Sequence, residues 1–300
     1  MITILKGGTS SEREVSLWTA ASVAEALTSL SLPFQEVDAA DSDWLSQVVE
    51  AKSSLVIIAL HGPFGEDGQV QQLLEVTGLP YTGSTAKVSA LTIDKAKTKE
   101  VISANTGIQT PTSKHFSKGE SVAWDEAYPV VVKPNGDGSS FGVTIVKDAG
   151  ALAKAVDEAF KYGSEILLEA FIQGRELTCG VIHLDEAPQV LPLVEIRPTE
   201  AFFNFEAKYT SSKCEEICPA ALPEHVTKQI QELSLQAFIA LGCRHYARVD
   251  WILSEDGTPY FLEINTLPGM TKTSLLPKEL QAAGIPYTDF ISRLVETASK

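Results

Sequence analysis

The sequence predicts a mixed α/β (α+β) fold of three modules: an N-terminal parallel-sheet domain over 1–88, a small central α+β domain over 89–170 and a C-terminal mixed-sheet domain over 171–300. Strands alternate with helices along the first module, a pattern typical of a parallel sheet with crossover helices. Two short strands joined by a glycine-rich loop, then a helix and another strand, indicate the second module. Longer strands, a hairpin at 247–265 and amphipathic helices indicate the third.

The elements are assigned in chain order from apolar periodicity and from glycine and proline breaks. The first module is predicted to contain strands at 2–6, near 34–37, at 55–60 and at 79–81, with helices after the first glycine turn, at 43–52 and at 69–77. A helical stretch at 86–104 leads from the first module into the second, which is predicted to contain strands at 128–133, 143–147 and 165–169 and a helix at 149–161. The third is predicted to contain strands at 175–183 and 189–196, an irregular stretch at 197–221, a helix at 224–241, the hairpin, and helices at 276–283 and 287–298.

Composition narrows the functional classes. The 300 residues carry 24 lysines and arginines against 39 aspartates and glutamates, a net charge of −15. This balance argues against a general nucleic-acid or anionic-membrane binder, because such proteins present a basic face. Four cysteines in 300 residues are consistent with a protein whose thiols stay reduced. The longest apolar stretch is far too short to span a bilayer, and the first residues do not resemble a secretory signal. We therefore expect a cytoplasmic protein.

The most informative segment is the hairpin at 247–265. Asp-Gly at 256–257, between two apolar strands, predicts a two-residue type I′ turn. That turn places Asp250 opposite Glu263 and Arg248 opposite Asn265, with all four side chains on one face. The opposite, core-facing side is predicted to carry Val249, Trp251, Leu253, Tyr260, Leu262 and Ile264.

Two carboxylates directly opposite each other on a sheet repel. A divalent cation offsets this repulsion, and the oxygen donors of Asp250, Glu263 and Asn265 are the ligand types that Mg²⁺ or Mn²⁺ prefers. The alternative, a surface ion-pair cluster of Arg248, Asp250 and Glu263, is equally compatible with the hairpin alone. A one-residue change of register would remove the argument for either arrangement.

A second group of residues is suited to phosphate. Lys133 ends a strand before the loop 134–142, whose three glycines and two serines, Ser139 and Ser140, allow close approach of backbone N–H groups to an anion. Taken alone, the loop also fits a mobile hairpin connection, and a lysine such as Lys95 is most often a solvated helix residue. Together with the metal hairpin, however, these features indicate an ATP site.

Seven blocks of sequence, in order, resemble the ATP-grasp enzymes, and among them the D-alanine–D-alanine ligases. The blocks are 7–16, 61–68, 138–142, 174–178, 206–209, 248–250 and 263–271, so the resemblance covers nearly the whole chain. It implies an ATP-grasp architecture and a reaction in which ATP phosphorylates the carboxylate of one D-alanine. The amine of a second D-alanine then attacks the acyl phosphate, giving the dipeptide, ADP and phosphate for peptidoglycan precursor synthesis.

The resemblance also implies roles at the nucleotide end. Lys95 and Lys133 resemble the lysines that hold the ATP phosphates, Ser139 and Ser140 lie on the covering loop, and Lys208 matches a residue near the transferred phosphate. The residues that resemble the adenosine-binding set are Glu169, Ala170, Phe171, Ile172 and Glu176. Those that match the metal ligands, for two Mg²⁺ or Mn²⁺ ions, are Asp250, Glu263 and Asn265.

At the substrate end, Glu12 resembles the residue that holds the ammonium of the first D-alanine, assisted by His61. Taken alone, Glu12 is also suited to the positive end of a helix, and His61 to a structural role. Arg248 and the backbone N–H of Gly269 match the groups that stabilise the oxyanion. The remaining implied residues are Ser274 and Leu275 at the carboxylate of the second substrate, and Tyr209, which favours an amine nucleophile.

Other functions stay open from the sequence. A related ligase that joins D-alanine to D-lactate or D-serine would carry most of the same blocks, and so would a nucleotide-binding protein without catalysis. An NAD-dependent dehydrogenase is disfavoured because the first glycine turn, 7–12, does not fit G-x-G-x-x-G. The resemblance implies a homodimer that acts on small molecules, with no nucleic-acid or membrane partner.

Overall fold

The computed structural model describes residues 1–136, 141–198 and 214–299. The predicted α/β (α+β) class is confirmed, with three separate sheets. The N-terminal elements are β1 (Ile2–Lys6), α1 (Arg13–Ser29), β2 (Phe34–Asp38), α2 (Trp44–Glu50), β3 (Leu55–Ile58) and α3 (Gln69–Thr77). The middle elements are α4 (Ala86–Ile93), α5 (Lys95–Thr106), β4 (Ser113–Ser117), β5 (Val130–Pro134), β6 (Thr144–Val146), a 3₁₀ turn (Ala149–Ala151), α6 (Leu152–Ala159) and β7 (Glu165–Ala170).

The C-terminal elements are β8 (Gly174–His183), β9 (Gln189–Val190), β10 (Val194–Pro198), β11 (Cys214–Ile217), α7 (Glu224–Leu241), β12 (His245–Ser254), β13 (Pro259–Asn265), α8 (Leu275–Ala282) and α9 (Tyr287–Ala298). None of the helices in these described ranges is long and apolar enough to cross a membrane.

The N-terminal sheet is parallel, in the order β2-β1-β3. Strand β3 is buried throughout, as its uninterrupted apolar sequence predicts. Parallel strands bring their carboxyl ends to one edge, and ligands of α/β sheets bind at that edge. The loops that follow β1 and β3 therefore place residues 7–12 and 61–68 side by side.

The middle sheet is antiparallel, in the order β4-β7-β5-β6. Its edge strand β4 has the polar sequence SKHFS and was not recognised from the sequence, since exposed edge positions carry no apolar alternation. The helical stretch predicted at 86–104 is two helices broken at Asp94, whose extended backbone and side chain cap the second by accepting from Lys97 N. This break makes Lys95 the first residue of α5.

The C-terminal sheet has the order β11-β10-β8-β12-β13, with β9 also paired to β8. The prediction of a mixed sheet in this module is wrong, because every pairing of this sheet within the described ranges is antiparallel. Strand β8 lies at its centre and pairs with β12 along ten residues. The alternating burial of β12 places Val249, Trp251 and Leu253 in the core and Arg248 and Asp250 on the opposite face.

The hairpin differs from its prediction in two ways. Its turn has three loop residues rather than two, because Ser254 N bonds Thr258 O while Gly257 N, at φ +86°, bonds Ser254 O. An irregularity at Leu262 then shifts the register back, so that Trp251 pairs with Phe261 but Asp250 pairs with Glu263.

These two shifts cancel at the functional end of the hairpin. Arg248 opposite Asn265 and Asp250 opposite Glu263 are confirmed. Nearer the turn, Phe261 faces the core in place of the predicted Tyr260 and Leu262, which are only half-buried. The Phe261 ring meets Trp251 edge to face, with centroids 5.7 Å apart.

The hydrophobic cores cross the module boundaries predicted from the sequence. Ile102 of α5 packs in the core beneath the C-terminal sheet, and Phe290, Ile291 and Leu294 of α9 pack in the core of the N-terminal sheet. The boundaries 1–88, 89–170 and 171–300 stay a prediction. The middle sheet has a separate hydrophobic core within residues 116–170. Helix α5 connects this sheet to the C-terminal sheet through the ion pairs of Lys99 with Glu169 and of Lys95 with Glu263.

The β8–β12 contact provides a test of the sheet. A Cβ added at Gly174 would lie 2.2 Å from the carbonyl oxygen of Leu253, so Gly174→Ala must push the two strands apart. We expect it to lower the free energy of unfolding by about 1–3 kcal/mol, measured by urea denaturation. In the matched control, Gly163→Ala, the nearest atom is Glu165 O at 3.7 Å, and stability should be unchanged or slightly raised. Equal effects would contradict the tight contact.

Candidate active site

The first corner of the site joins the loops that follow β1 and β3. Glu12 is buried at the start of α1, and His61 is buried three residues after the end of β3. Ser10 Oγ donates to His61 O at 2.8 Å, tying the two loops together. Gly62, at φ +70°, packs so closely that an added Cβ would lie 2.7 Å from Glu12 Oε2. The structure thus brings the two predicted substrate residues together.

Two residues at this corner were not singled out from the sequence. Thr19 Oγ1 lies 2.9 Å from His61 Nε2 and also accepts from Met270 N at 3.4 Å, which links the histidine to the loop after β13. Glu66 Oε1 lies 3.6 Å from His61 Nδ1. Thr19 is seven residues after Glu12 on the same helix face, and this spacing was the available signal.

The loop after β13 forms the second corner. Ser274 begins α8, and its Oγ accepts from Thr271 N at 3.1 Å and lies 2.7 Å from Thr271 Oγ1. A Cβ added at Gly269 would lie 2.8 Å from Ser274 Oγ, so a glycine is required for this close approach. Leu275 follows in the first turn of α8. The predicted Gly269, Ser274 and Leu275 therefore lie in one tight turn.

Three buried lysines form the third corner, one more than the sequence analysis singled out. Lys133 Nζ lies 2.6 Å from Glu169 Oε2, and Lys99 Nζ lies 2.5 Å from Glu169 Oε1. Burial alone would raise the pKa of Glu169, but the two lysines outweigh it and hold that pKa below its usual value. Burial lowers the pKa of Lys99 to about 8, against the opposing effect of Glu169.

The lysines converge because the loop after β5 holds the start of α5. Asn135 Oδ1 accepts from Ala96 N at 2.9 Å, and Asn135 Nδ2 donates to Asp94 Oδ1 at 2.8 Å. This places Lys95 next to the strand that carries Lys133. Lys99 lies one turn further along α5, on the same face as Lys95, so the i, i+4 spacing was the signal for it.

The hairpin forms the fourth corner. Arg248 grips Asp250 through two bonds of 2.8 Å, from Nε to Oδ1 and from Nη2 to Oδ2, and Thr178 Oγ1 donates to Asp250 Oδ1 at 2.7 Å. Glu263 Oε2 lies 3.2 Å from Lys95 Nζ. The ion-pair alternative considered from the sequence is therefore realised between Arg248 and Asp250, in a largely buried setting, while Glu263 pairs with Lys95.

The donors on this face are suited to a hard divalent cation. Two carboxylates, Asp250 and Glu263, lie opposite each other, and Asn265 supplies an amide oxygen that accepts one bond, from Leu267 N at 2.9 Å. Within the described ranges, no three His, Cys, Asp or Glu side chains cluster closely enough to hold a metal ion. A cation here would thus be held by two carboxylates and an amide oxygen, a set that suits Mg²⁺ or Mn²⁺.

The charges of the last two corners sum to a local excess of positive charge. Four cations, Lys95, Lys99, Lys133 and Arg248, meet three carboxylates, those of Glu169, Asp250 and Glu263. This occurs in a chain whose net charge is −15. A buried cationic cluster within an acidic protein is suited to a small polyanion rather than to an extended acidic polymer.

The remaining predicted residues divide into two groups. Glu169 ends β7 beside the lysines, Ala170 pairs with Val130, and Phe171 and Ile172 are half-buried in the connection to β8, which carries Glu176. Ser139, Ser140, Lys208 and Tyr209 lie outside the described residues.

Comparison with known proteins agrees with this arrangement. The model described as "D-ala D-ala ligase C-terminus" matches residues 103–296, and that described as "D-ala D-ala ligase N-terminus" matches residues 34–84. The chain belongs to the D-alanine–D-alanine ligase family. The D-alanine–D-alanine ligase of Citrifermentans bemidjiense is 43% identical over 99% of this chain and 96% of that ligase. The ligase of Geobacter sulfurreducens is also 43% identical, over 99% and 93%.

Solved ligase structures share the fold. The D-alanine–D-alanine ligase of Bacillus anthracis complexed with ATP is 35% identical, with a TM-score of 0.84 over 99% of this chain and 96% of that one. VanG D-Ala:D-Ser ligase of Enterococcus faecalis has a TM-score of 0.86 at 28% identity, over 99% and 98%. The ATP-grasp architecture implied by the sequence blocks is therefore confirmed for this member of the ligase family.

The buried lysine pair leads to a stability prediction. Lys99→Met removes one of the two cations that compensate the buried Glu169, and we expect it to lower the free energy of unfolding by about 3–5 kcal/mol in urea denaturation. The control is Lys97→Met on the same helix, because the Lys97 side chain is 69% exposed although its ammonium pairs with Asp94. This control variant should lower the free energy of unfolding by no more than about 1 kcal/mol. Similar losses in the two variants would show that the Lys99–Glu169 pair does not carry this role.

Proposed function

We propose that the protein is an ATP-dependent ligase that joins two D-alanines into D-alanyl-D-alanine through an acyl phosphate. The products are the dipeptide, ADP and phosphate, and the dipeptide serves peptidoglycan precursor synthesis. The observation that carries the proposal is the cluster of four cations beside the carboxylate pair Asp250–Glu263, in a chain of the ligase family. Such a cluster supplies the charge neutralisation that phosphoryl transfer requires.

The first D-alanine binds where Glu12 and His61 meet. Its ammonium pairs with the buried carboxylate of Glu12, while His61 is held by Thr19 and Glu66. The bond from Met270 N to Thr19 couples this pocket to the turn that contains Gly269. This coupling holds the carboxylate of the first substrate near the groups that act on it.

The phosphates of ATP lie against Lys95 and Lys133, with Lys99 and Glu169 fixing their surroundings. Ser139 and Ser140 are proposed to contact the ATP phosphates, and Lys208 the transferred phosphate. The adenosine lies against Glu169, Ala170, Phe171, Ile172 and Glu176. Two bonds of 2.8 Å hold the Arg248 guanidinium on Asp250, while Nη1 makes no bond within the described ranges. Nη1 and Gly269 N–H thus supply two donors for the oxyanion formed when the amine attacks.

The second D-alanine presents its carboxylate to the turn of Ser274 and Leu275, and Tyr209 is proposed to act near its amine. Asp250, Glu263 and Asn265 would hold Mg²⁺ or Mn²⁺, two ions in all. The metal supplies Lewis-acid neutralisation of phosphate charge. We further propose a homodimer that works in the cytoplasm, with no nucleic-acid or membrane partner.

A substrate panel tests this function. Release of ADP is measured with D-alanine, L-alanine, D-serine, or D-alanine plus D-lactate, each with and without Mg²⁺. We expect turnover with D-alanine and Mg²⁺ and at least about 100-fold less in their absence. Faster turnover when D-serine or D-lactate is added would assign a related ligase. If none of these substrates gives ADP, the protein is a nucleotide-binding protein that does not catalyse this reaction.

The metal face is tested by Asp250→Asn, which removes one of the two opposed carboxylate charges. We expect turnover to fall by at least about 100-fold because the charge that balances the metal is lost. The matched control is Asp256→Asn at the tip of the same hairpin, where an amide oxygen can still accept the bonds from Ser254 Oγ and Thr258 N. Its activity should be unchanged. Full activity of Asp250→Asn would refute the assignment.

A further inference from the structure

Helix α8 carries a fully buried carboxyl group to which the proposed function gives no role. Glu279 is 0% exposed and lies against β8, where Gly180 N donates to its Oε1 at 2.8 Å. A Cβ added at Gly180 would lie 2.6 Å from Glu279 Oε2, so the absence of a side chain makes room for the carboxyl. Glu279 Oε2 has no hydrogen-bond partner within the described ranges.

The spare oxygen lies on the same face of the sheet as Arg248. Gly180 and Arg248 pair directly in the β8–β12 ladder, so their Cα–Cβ directions point to one side. Burial raises the pKa of the Glu279 carboxyl to about 8, and the charges of Arg248 and Asp250 act on it in opposite directions. The carboxyl therefore lies within electrostatic reach of Arg248, although the two side chains do not form a direct ion pair.

Arg248 and a metal ion would compete for the same atoms. Both oxygens of Asp250 accept bonds from the guanidinium, and Oδ1 accepts a third from Thr178. A cation at the Asp250–Glu263 face needs at least one of these oxygens. An arginine that loses a partner in a buried site requires another acceptor, because a buried, uncompensated charge is costly.

We propose that Glu279 is a positioning residue that receives the Arg248 guanidinium when Asp250 turns to a divalent cation. This inference rests on the metal site of the proposed function. As the guanidinium approaches, the carboxyl releases its proton to solvent, because the positive charge favours the ionised form. The carboxylate then accepts from Gly180 N–H through one oxygen and from Arg248 through the other. Arg248 thereby keeps its orientation toward the oxyanion while Asp250 becomes a ligand.

An amide cannot replace the carboxyl in this role. Glutamine has one accepting oxygen and one donating NH₂ group, so in Glu279→Gln either Gly180 or Arg248 faces a donor. The variant keeps the shape of the side chain and its bond to Gly180. A purely structural Glu279 therefore tolerates the change, whereas a carboxyl that must receive Arg248 does not.

The experiment measures Mn²⁺ binding directly, by the EPR signal of the free ion during titration of the whole protein. We expect Glu279→Gln to raise the Kd for Mn²⁺ at least about ten-fold, because release of Arg248 from Asp250 is no longer compensated. The double variant Arg248→Met/Glu279→Gln should bind Mn²⁺ at least as tightly as Arg248→Met alone, since the competing guanidinium is gone. Thermal melting confirms that each variant is folded.

The control is Glu195→Gln, a buried carboxylate on the opposite face of the same sheet, paired with Arg175 and Arg197. Its Mn²⁺ affinity should equal that of the unsubstituted protein. An unchanged Kd in Glu279→Gln would overturn the inference while leaving the metal site intact. A weakening that persists in the Arg248→Met background would also overturn it, since the loss then does not act through Arg248. Absence of Mn²⁺ binding by the unsubstituted protein would refute the metal site itself, and with it this role of Glu279.

Discussion

The opposition of Asp250 and Glu263 across one strand pair is the interaction on which the rest of the site depends. Two carboxylates at that separation are unfavourable by themselves, and each is compensated from a different direction. Arg248 lies two residues away on the same strand as Asp250, whereas Lys95 reaches Glu263 from the start of α5. The repulsion within the hairpin is therefore relieved by a helix that belongs to a different part of the chain.

The same compensation organises the nucleotide end. Helix α5 carries Lys95 to Glu263 at its first residue and Lys99 to Glu169 one turn later, so one helix neutralises carboxylates on two separate sheets. Both lysines are buried, and their positions depend on the bonds of Asn135 to Asp94 and Ala96, which fix the beginning of the helix. The cationic character of the site arises from this local arrangement, although the chain as a whole is acidic.

The hairpin shows how much the sequence could predict and why the rest was out of reach. The alternation of apolar residues and the Asp-Gly turn placed Asp250 opposite Glu263, and this pairing holds because the longer turn and the irregularity at Leu262 shift the register in opposite directions. The predicted two-residue turn was wrong, and the irregularity at Leu262 was not foreseen, since Tyr260, Phe261 and Leu262 are all apolar enough to face the core. Only packing against Trp251 decides between them.

Residues that act by positioning other residues were harder to predict from the sequence. Thr19 and Lys99 carry helical spacings from predicted site residues, but a threonine or lysine on a helix has no distinctive pattern until the facing element is known. Glu279 is a further case, because an acidic residue in α8 looks like an exposed position in the sequence. Its burial follows from Gly180, 99 residues earlier in the chain, which leaves the necessary space.

The C-terminal helix α9 has a consequence for the synthesis of the protein. It packs against α1, and its Phe290, Ile291 and Leu294 complete the core around the first sheet. During translation, the strands that begin the chain emerge long before these side chains do. The apolar surface of the N-terminal sheet therefore stays partly uncovered on the ribosome until residues 287–298 have left the exit tunnel.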